Sequence, residues 1–390
     1  MATTTTLSRQ FGAQTLTLET GKLAKQAEGS CIVTYGETQV LATCTTANPR
    51  EGIDFFPLTI DVEERMYAAG KIPGGFFRRE GRPSETAILT ARLTDRPMRP
   101  SFKDGYRDEV QVVITVLSAD MANPYDIPGM NAASLATMIS GIPFEGPVGS
   151  VRLGLIGGEW VVNPTFLQMD EATFDIVVAG RRNDAGGVDI LMIEGEAPDH
   201  TWQLLGAADG ATAPTEEVVA QGLEVAKQQI SELIELQLEL LAKLDVKPKP
   251  FEPRPLYGED TWAIVEGFAK ERLETAIVPD KLERETAFTE IKEALRGHLL
   301  QTWGEVAFAA RQAEISPAWK DLQKKVMRAR VIEHGVRLDG RGPKDIRPLS
   351  AEIGLIPRAH GSALFNRGDT QALNVTTLGM LRMTQMIDTL

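Results

Sequence analysis

Cysteine and histidine are scarce in this chain. Its 390 residues hold two cysteines, Cys31 and Cys44, and four histidines, His200, His298, His334 and His360. Two cysteines cannot build a disulfide scaffold, and no C-x-x-C pair offers a zinc site. The histidines follow no H-E-x-x-H or other ligand spacing, so a histidine-based metal centre has no support. No stretch reaches the roughly 18 uninterrupted apolar residues of a membrane span. The opening MATTTTLSRQFGAQ has no basic segment ahead of an apolar one, as a secretory signal requires. Walker A, G-x-G-x-x-G and G-x-S-x-G motifs are missing, which leaves P-loop, Rossmann and serine-hydrolase chemistry unsupported. The expectation is a soluble, cytoplasmic protein without a membrane segment.

What is present is ordinary in amount and informative in arrangement. Hydrophobic residues make up 43% and charged residues 24%, enough for two or three domains with real cores. The 35 glycines and 22 prolines are dispersed as punctuation, which excludes a disordered chain. Net charge is −13, against a wholesale polyanion binder. Residues 76–103 nevertheless carry seven cations and three anions, so a +4 segment sits on a −17 remainder.

The first 200 residues read mainly as strands. Gln14–Thr20 alternates apolar and polar residues, and Thr38–Thr46 is rich in β-branched ones. Phe55–Val62, Glu109–Ser118 and Phe174–Ala179 are further strands, and Gly157-Gly158 marks a two-residue hairpin. One helix is expected from Pro83-Ser84 to about Arg96, ended by Pro97; another covers about Asn131–Ser140. From Pro214 a long amphipathic helix runs to about Leu244, followed by the proline-rich connection Val246–Pro255. Residues 257 to about 332 read as successive helices, and strand texture returns at Arg337.

An internal repeat returns with it. Gly29–Leu41, GSCIVTYGETQVL, and Gly361–Leu373, GSALFNRGDTQAL, share six of thirteen residues at a constant offset of 332. That argues for a duplicated domain. The second copy starts near Arg337 and has only about 55 residues before Leu390, so the chain is expected to be a piece of a longer protein.

The densest chemical signal is Gly74–Pro100, GGFFRREGRPSETAILTARLTDRPMRP. Gly70, Gly74 and Gly75 loosen a loop presenting Phe76 and Phe77 directly before Arg78 and Arg79, with Arg82 beyond. Rings that stack on bases beside guanidinium groups that neutralise phosphates suit single-stranded nucleic acid. Arg92 and Arg96 are four residues apart and share a helix face; Arg99 can extend the same basic surface. The competing reading puts the two phenylalanines in the core and pairs the arginines with Glu85 and Asp95. On the residues alone, RNA, DNA, phosphate and phosphorylated metabolites stay open.

Lesser features have structural readings beside functional ones. Asp339 and Arg341 look like a turn lock. His360 either faces a substrate or holds the backbone, Asp61, Glu63 and Glu64 end a strand in solvent, and the cysteines are small buried residues.

FFPLTIDVEERMYAAGKIPGG, FFRREGRPSE, ARLTDRPMRP and RLDGRGPKDIRPLSAEIGLIPRAHGSALFNRGDTQAL strongly resemble the bacterial polynucleotide phosphorylase family. The resemblance covers essentially the whole chain and is weakest in the helical region. It implies an α+β fold: an RNase PH-like core domain (ribosomal protein S5 domain 2-like) at 1–245, an all-helical domain at 246–328, and the incomplete start of a second RNase PH-like core at 329–390. It implies 3′-to-5′ phosphorolytic RNA degradation, with inorganic phosphate as co-substrate, nucleoside diphosphate as product, and reversal as template-independent polymerisation. It also implies a homotrimer with RNA in a central channel, Mg2+, and partners in RNA-degradation complexes. Phe76, Phe77, Arg78 and Arg79 match the family's channel loop; Arg82, Arg92 and Arg96 match basic positions close to it, and Arg99 more weakly. Catalytic groups and Mg2+ ligands are expected beyond Leu390, so no catalytic or metal-binding residue is named in this chain. The alternatives are an RNase PH-type exoribonuclease and a non-catalytic short form that binds RNA or scaffolds a complex.

Overall fold

A computed structural model of the chain describes residues 4–50, 53, 55–206, 211–253, 255–383 and 390. The chain divides into two compact units, residues 1–254 with 387–390, and residues 255–386.

In the first unit, strands β1 (Thr5–Phe11), β2 (Gln14–Thr20), β3 (Gly29–Tyr35) and β4 (Thr38–Ala47) form an antiparallel meander. β5 (Leu58–Glu64) then leads through a short 3-10 turn, a long loop and helix α1 (Glu85–Met98) into β6 (Glu109–Ser118). β5 and β6 pair in parallel, so that loop and α1 make the crossover such a pair requires. The six strands lie in the order β1-β2-β3-β4-β6-β5.

Helix α2 (Asp126–Ile139) follows, and is buried almost throughout. It packs on β3 and β4 from one side and on a second sheet from the other, which explains why it is apolar all round. That sheet is formed by β7 (Val148–Ile156), β8 (Glu159–Val162), β9 (Phe174–Arg182) and β10 (Val188–Glu196), with α3 (Phe166–Met169) between β8 and β9. After α4 (Thr201–Leu205), α5 (Glu216–Leu241) packs Ile230, Leu233, Ile234 and Leu240 into the core beside β7 and β9 of that sheet. Buried polar groups fix the layers. Ser134 donates to Gln237 at 3.0 Å and accepts from the Val148 N–H at 2.8 Å, while Gln237 Nε2 donates to the Val148 carbonyl at 3.0 Å.

Most of these elements are where the sequence places them. The Gly157-Gly158 hairpin has φ of 59° and 88°, the left-handed pair that a tight turn between twisted strands needs. β5 begins at Leu58 rather than Phe55 and extends to Glu64. Two helix ends also differ from expectation. α1 runs past Arg96 to Met98 with Pro97 inside it, because in the last turn a proline forfeits only one hydrogen bond. α2 begins at Asp126, not Asn131, because Pro128 and Gly129 fall in its first turn, where a missing N–H costs nothing. The 245–253 connection is non-helical as expected, and Arg254 lies outside the described residues.

The second unit holds α6 (Glu259–Thr275) and α7 (Lys281–His334), the latter broken at Gly304, whose φ is 74°. Val265, Leu273, Leu295, Leu299, Trp319 and Leu322 form a core separate from that of the first unit. A three-stranded sheet follows: β11 (Leu349–Ile353), β12 (Gly361–Arg367) and β13 (Thr370–Thr376). Here the internal repeat becomes geometry. Gly361 pairs with Thr376 and Arg367 with Thr370, as Gly29 pairs with Cys44 and Tyr35 with Thr38. Gly36 and Gly368 both open a two-residue turn at positive φ, 61° and 58°.

Candidate nucleic-acid interface

The loop between β5 and α1 is anchored at both ends. Gly70 closes the 3-10 turn in the left-handed conformation, φ 68°, and donates to the Tyr67 carbonyl at 2.9 Å. Glu80 Oε1 reaches back to accept the Met66 N–H at 3.4 Å. Ser84 caps α1 by accepting the Ala87 N–H at 3.1 Å. Between these anchors the described residues are mostly exposed. Phe76 is 95% exposed and Phe77 87%, their rings edge to face at 5.4 Å. The core alternative for the two rings is therefore excluded.

Arg78 holds φ of +50°, a left-handed backbone costing about 1–3 kcal/mol in a residue with a Cβ. Its N–H bonds the Gly75 carbonyl at 3.0 Å, and its guanidinium makes a long contact to the Pro73 carbonyl at 3.4 Å. Among the described residues Arg79 and Arg82 have no carboxylate partner. A compact turn thus holds two bare rings and three uncompensated cations in water, a costly arrangement for stability alone.

Arg92 and Arg96 do share a face of α1, and both line two clefts. One, about 440 Å3, lies between β5 and α1 and begins at Pro83, where the loop ends. The other, about 340 Å3, lies between α1 and the β9–β10 side of the second sheet. Arg92 has no carboxylate partner among the described residues, whereas Arg96 is ion-paired with Glu194. Arg99 does not join them. It binds Asp95 with two nitrogens at 2.9 and 2.6 Å and donates to the carbonyls of Phe56 and Leu58 at 3.1 and 3.0 Å. Asp95 is thus satisfied as the pairing alternative foresaw, while Glu85 has no ion pair with these arginines.

The second cleft contains a group that sequence reasoning did not find. Arg152, on β7, donates to both Asp126 and Asp175, the first at 2.6 Å. All three side chains are largely buried. Burial pushes the Asp175 carboxyl up to about 6; Arg152 opposes the rise, and the charges of Asp126 and Glu196 add to it. Asp175 Oδ1 and Arg152 Nε are buried with no hydrogen-bond partner among the described residues. The available signal was a lone charge inside an apolar run, Arg152 in GSVRLGLI and Asp175 in FDIVVAG. Among the described residues no three His, Cys, Asp or Glu side chains converge as a metal site would need.

The lesser features resolve structurally. His360 Nδ1 accepts the Leu378 N–H at 2.8 Å, Arg341 binds Asp339 at 2.9 Å, and Glu64 accepts from the Tyr125 hydroxyl at 2.7 Å. Cys31 and Cys44 are buried; burial raises both thiols, that of Cys44 to about 11.

Comparison with known proteins agrees with this architecture. Family models match residues 12–143 (3′ exoribonuclease family, domain 1), 146–229 (3′ exoribonuclease family, domain 2) and 261–342 (polyribonucleotide nucleotidyltransferase, RNA binding domain). The polyribonucleotide nucleotidyltransferase of Salinispora arenicola is 52% identical over 385 residues, covering 97% of this chain and 48% of the relative. That of Nocardioides sp. is 51% identical over 387 residues, covering 98% and 51%. The chain belongs to the polyribonucleotide nucleotidyltransferase family. It spans about half the length of the curated relatives it matches. Its fold is the expected α+β, RNase PH-like one, and the helical match at 261–342 is what an RNase PH without that insertion would not give. Among solved structures, rice (Oryza sativa) Rrp46 has a TM-score of 0.42 at 15% identity over 59% of this chain and 96% of its own, a likeness too loose to carry detail. Among the described residues, no helix is long and apolar enough to cross a membrane.

Proposed function

We propose that this chain is the RNA-gripping portion of a 3′-to-5′ phosphorolytic exoribonuclease. One observation carries the reading: Phe76 and Phe77 stand bare in water beside Arg78, Arg79 and Arg82, on a loop held firmly at both ends. Rings take bases, guanidiniums take phosphates, and anchoring removes part of the ordering cost of binding. Arg92 and Arg96 continue the cationic surface along α1; Arg99, committed to Asp95, is a structural strut in this reading.

In the reaction, an oxygen of inorganic phosphate attacks the terminal internucleotide phosphorus. The bond from that phosphorus to the 3′ oxygen of the preceding nucleotide breaks, and the departing oxygen takes a proton. A nucleoside 5′-diphosphate leaves, the RNA is one residue shorter, and reversal extends it. Attack of one anion on another requires neutralised charge, which Mg2+ supplies in this chemistry. Asp126 and Asp175 are occupied by Arg152 and do not fit that ion, so no step is assigned to a metal here.

The division at 1–245, 246–328 and 329–390 belongs to the same proposal, with catalytic groups and Mg2+ ligands in the remainder of the second core. A glycine supports it. At Gly29 a Cβ would lie 1.9 Å from the Ala136 carbonyl oxygen of α2, so only glycine fits under the helix. At Gly361, its counterpart, a Cβ would meet nothing nearer than Thr376 at 3.5 Å among the described residues. The space over Gly361 is open among those residues, which leaves room for a helix placed as α2 is over Gly29. A homotrimer, cytoplasmic location and association with RNA-degrading partners complete the reading.

The test mixes the 390-residue chain with 5′-labelled single-stranded RNA, phosphate and magnesium. RNA binding without nucleoside diphosphate release is expected. Release would overturn the placement of catalysis, and failure to bind would overturn the RNA reading.

A further inference from the structure

The second unit contains a hollow of about 870 Å3 whose lining is strongly cationic. Eight of its fifteen lining residues are Lys or Arg and two are Asp, on a chain whose net charge is −13. Part of that charge is structural. Arg284 donates to the carbonyls of Val278 and Leu338, Arg337 to those of Pro343 and Asp345, and Arg341 pairs with Asp339. Lys281 lies 4.0 Å from Glu285. Carbonyls hold a guanidinium without cancelling its charge, so Arg284 and Arg337 still add to the local potential.

Four cations remain with no hydrogen bond or ion pair among the described residues: Lys324, Arg328, Arg347 and Arg367. They come from three segments. Lys324 and Arg328 are one turn apart on α7, Arg347 precedes β11, and Arg367 ends β12. Only Asp369, in the β12–β13 turn, offers a carboxylate not already bound. Cations drawn from separate segments onto one concavity repel each other, and an anion in the hollow relieves that repulsion. Met327, Val331, Ile332 and Leu338 make part of the lining apolar. Apolar side chains among cations suit unpaired nucleotides, which bring sugar and base to the former and phosphates to the latter. A duplex keeps its bases inside and presents phosphates alone.

We propose that Lys324, Arg328, Arg347 and Arg367 form a second phosphate-binding site for single-stranded RNA, using a segment of the strand other than the one held by the Phe76–Arg82 loop. This rests on the reading that the chain handles RNA.

The test measures fluorescence anisotropy of a labelled uridine oligomer against the full chain over a series of KCl concentrations. Each phosphate contact contributes about 0.7 to the slope of log K against log salt. Arg328→Gln with Arg367→Gln should lower that slope by about 1.4 and weaken binding at fixed salt. The Arg328→Lys with Arg367→Lys chain should keep the wild-type slope, since the charges are retained. Both residues are exposed and unpaired, so equal melting temperatures are expected and confirm that charge is being read. An unchanged slope in the glutamine variant, while Arg78→Gln with Arg79→Gln lowers it, overturns this site and leaves the loop standing. Wild-type chain that binds no RNA overturns both. Displacement of the oligomer by uridine diphosphate at equal phosphate concentration overturns the RNA assignment in favour of a mononucleotide site.

Discussion

Replacing Phe77 by serine separates a binding role from a packing role, because the structure fixes the cost of each. A phenylalanine can bury on the order of 200 Å2, and at 87% exposure roughly a tenth of that is covered here. About 25 Å2 at ~25 cal/mol/Å2 gives at most about 0.6 kcal/mol of lost burial. In a unit of this size that lowers the melting temperature by about 2 °C or less. Loss of a ring from under a base costs about 1–3 kcal/mol, a five- to roughly 150-fold rise in Kd. The assay is RNA titration by anisotropy beside a calorimetric melt of the same preparation. A Kd change of tenfold with an unmoved melt is the expected pair. A drop of about 5 °C or more with RNA affinity intact would refute the reasoning and return Phe77 to a structural role.

Three further perturbations probe the scaffold. Arg152→Met strands the Asp126 and Asp175 carboxylates in a buried cleft and should destabilise the first unit by about 3–5 kcal/mol in urea unfolding, with partial recovery on adding Asp175→Asn. Equal stability of Arg152→Met and wild type would show that the cleft is wetter than its burial implies. Gly29→Ala forces backbone apart at 1.9 Å and should cost about 3 kcal/mol, whereas Gly361→Ala should stay within about 0.5 kcal/mol in this chain; equal losses would erase the argument from the two glycines. In the helical region, hydrogen bonds from Arg311, with help from Thr261 and the Gly258 N–H, hold the Glu314 carboxyl down to about 2. A depressed carboxyl stabilises above its unfolded value near 4.5 and loses that contribution as pH falls toward 2. Glu314→Gln should therefore flatten the acid limb of the α6–α7 melt, and an unaltered limb would place the acid sensitivity elsewhere.

How much of this was legible in the sequence follows from how far apart the cooperating residues lie. The Phe76–Arg82 loop is local: its rings, cations and glycines are neighbours in sequence, so composition alone reveals it. The Arg152 cluster is not, because Asp126, Arg152 and Asp175 sit on three elements and meet only when α2 packs on the second sheet. The cationic hollow of the second unit left a compositional trace, since residues 324–367 carry ten Lys or Arg against four Asp or Glu. Which of those cations share one concavity is decided only when α7, the Arg347 segment and β12 pack together. Pro97 misled for a related reason. It looks like a breaker, yet it stands in the last turn of its helix, where the ladder of hydrogen bonds has little to lose, as Pro128 stands in the first turn of α2. The repeat shows the converse. Gly36 and Gly368 are matched because both turns need positive φ, a demand each hairpin makes on its own. Gly29 and Gly361 are matched although, among the described residues, only Gly29 is pressed upon, and the side-by-side stability of the two alanine variants measures that difference directly.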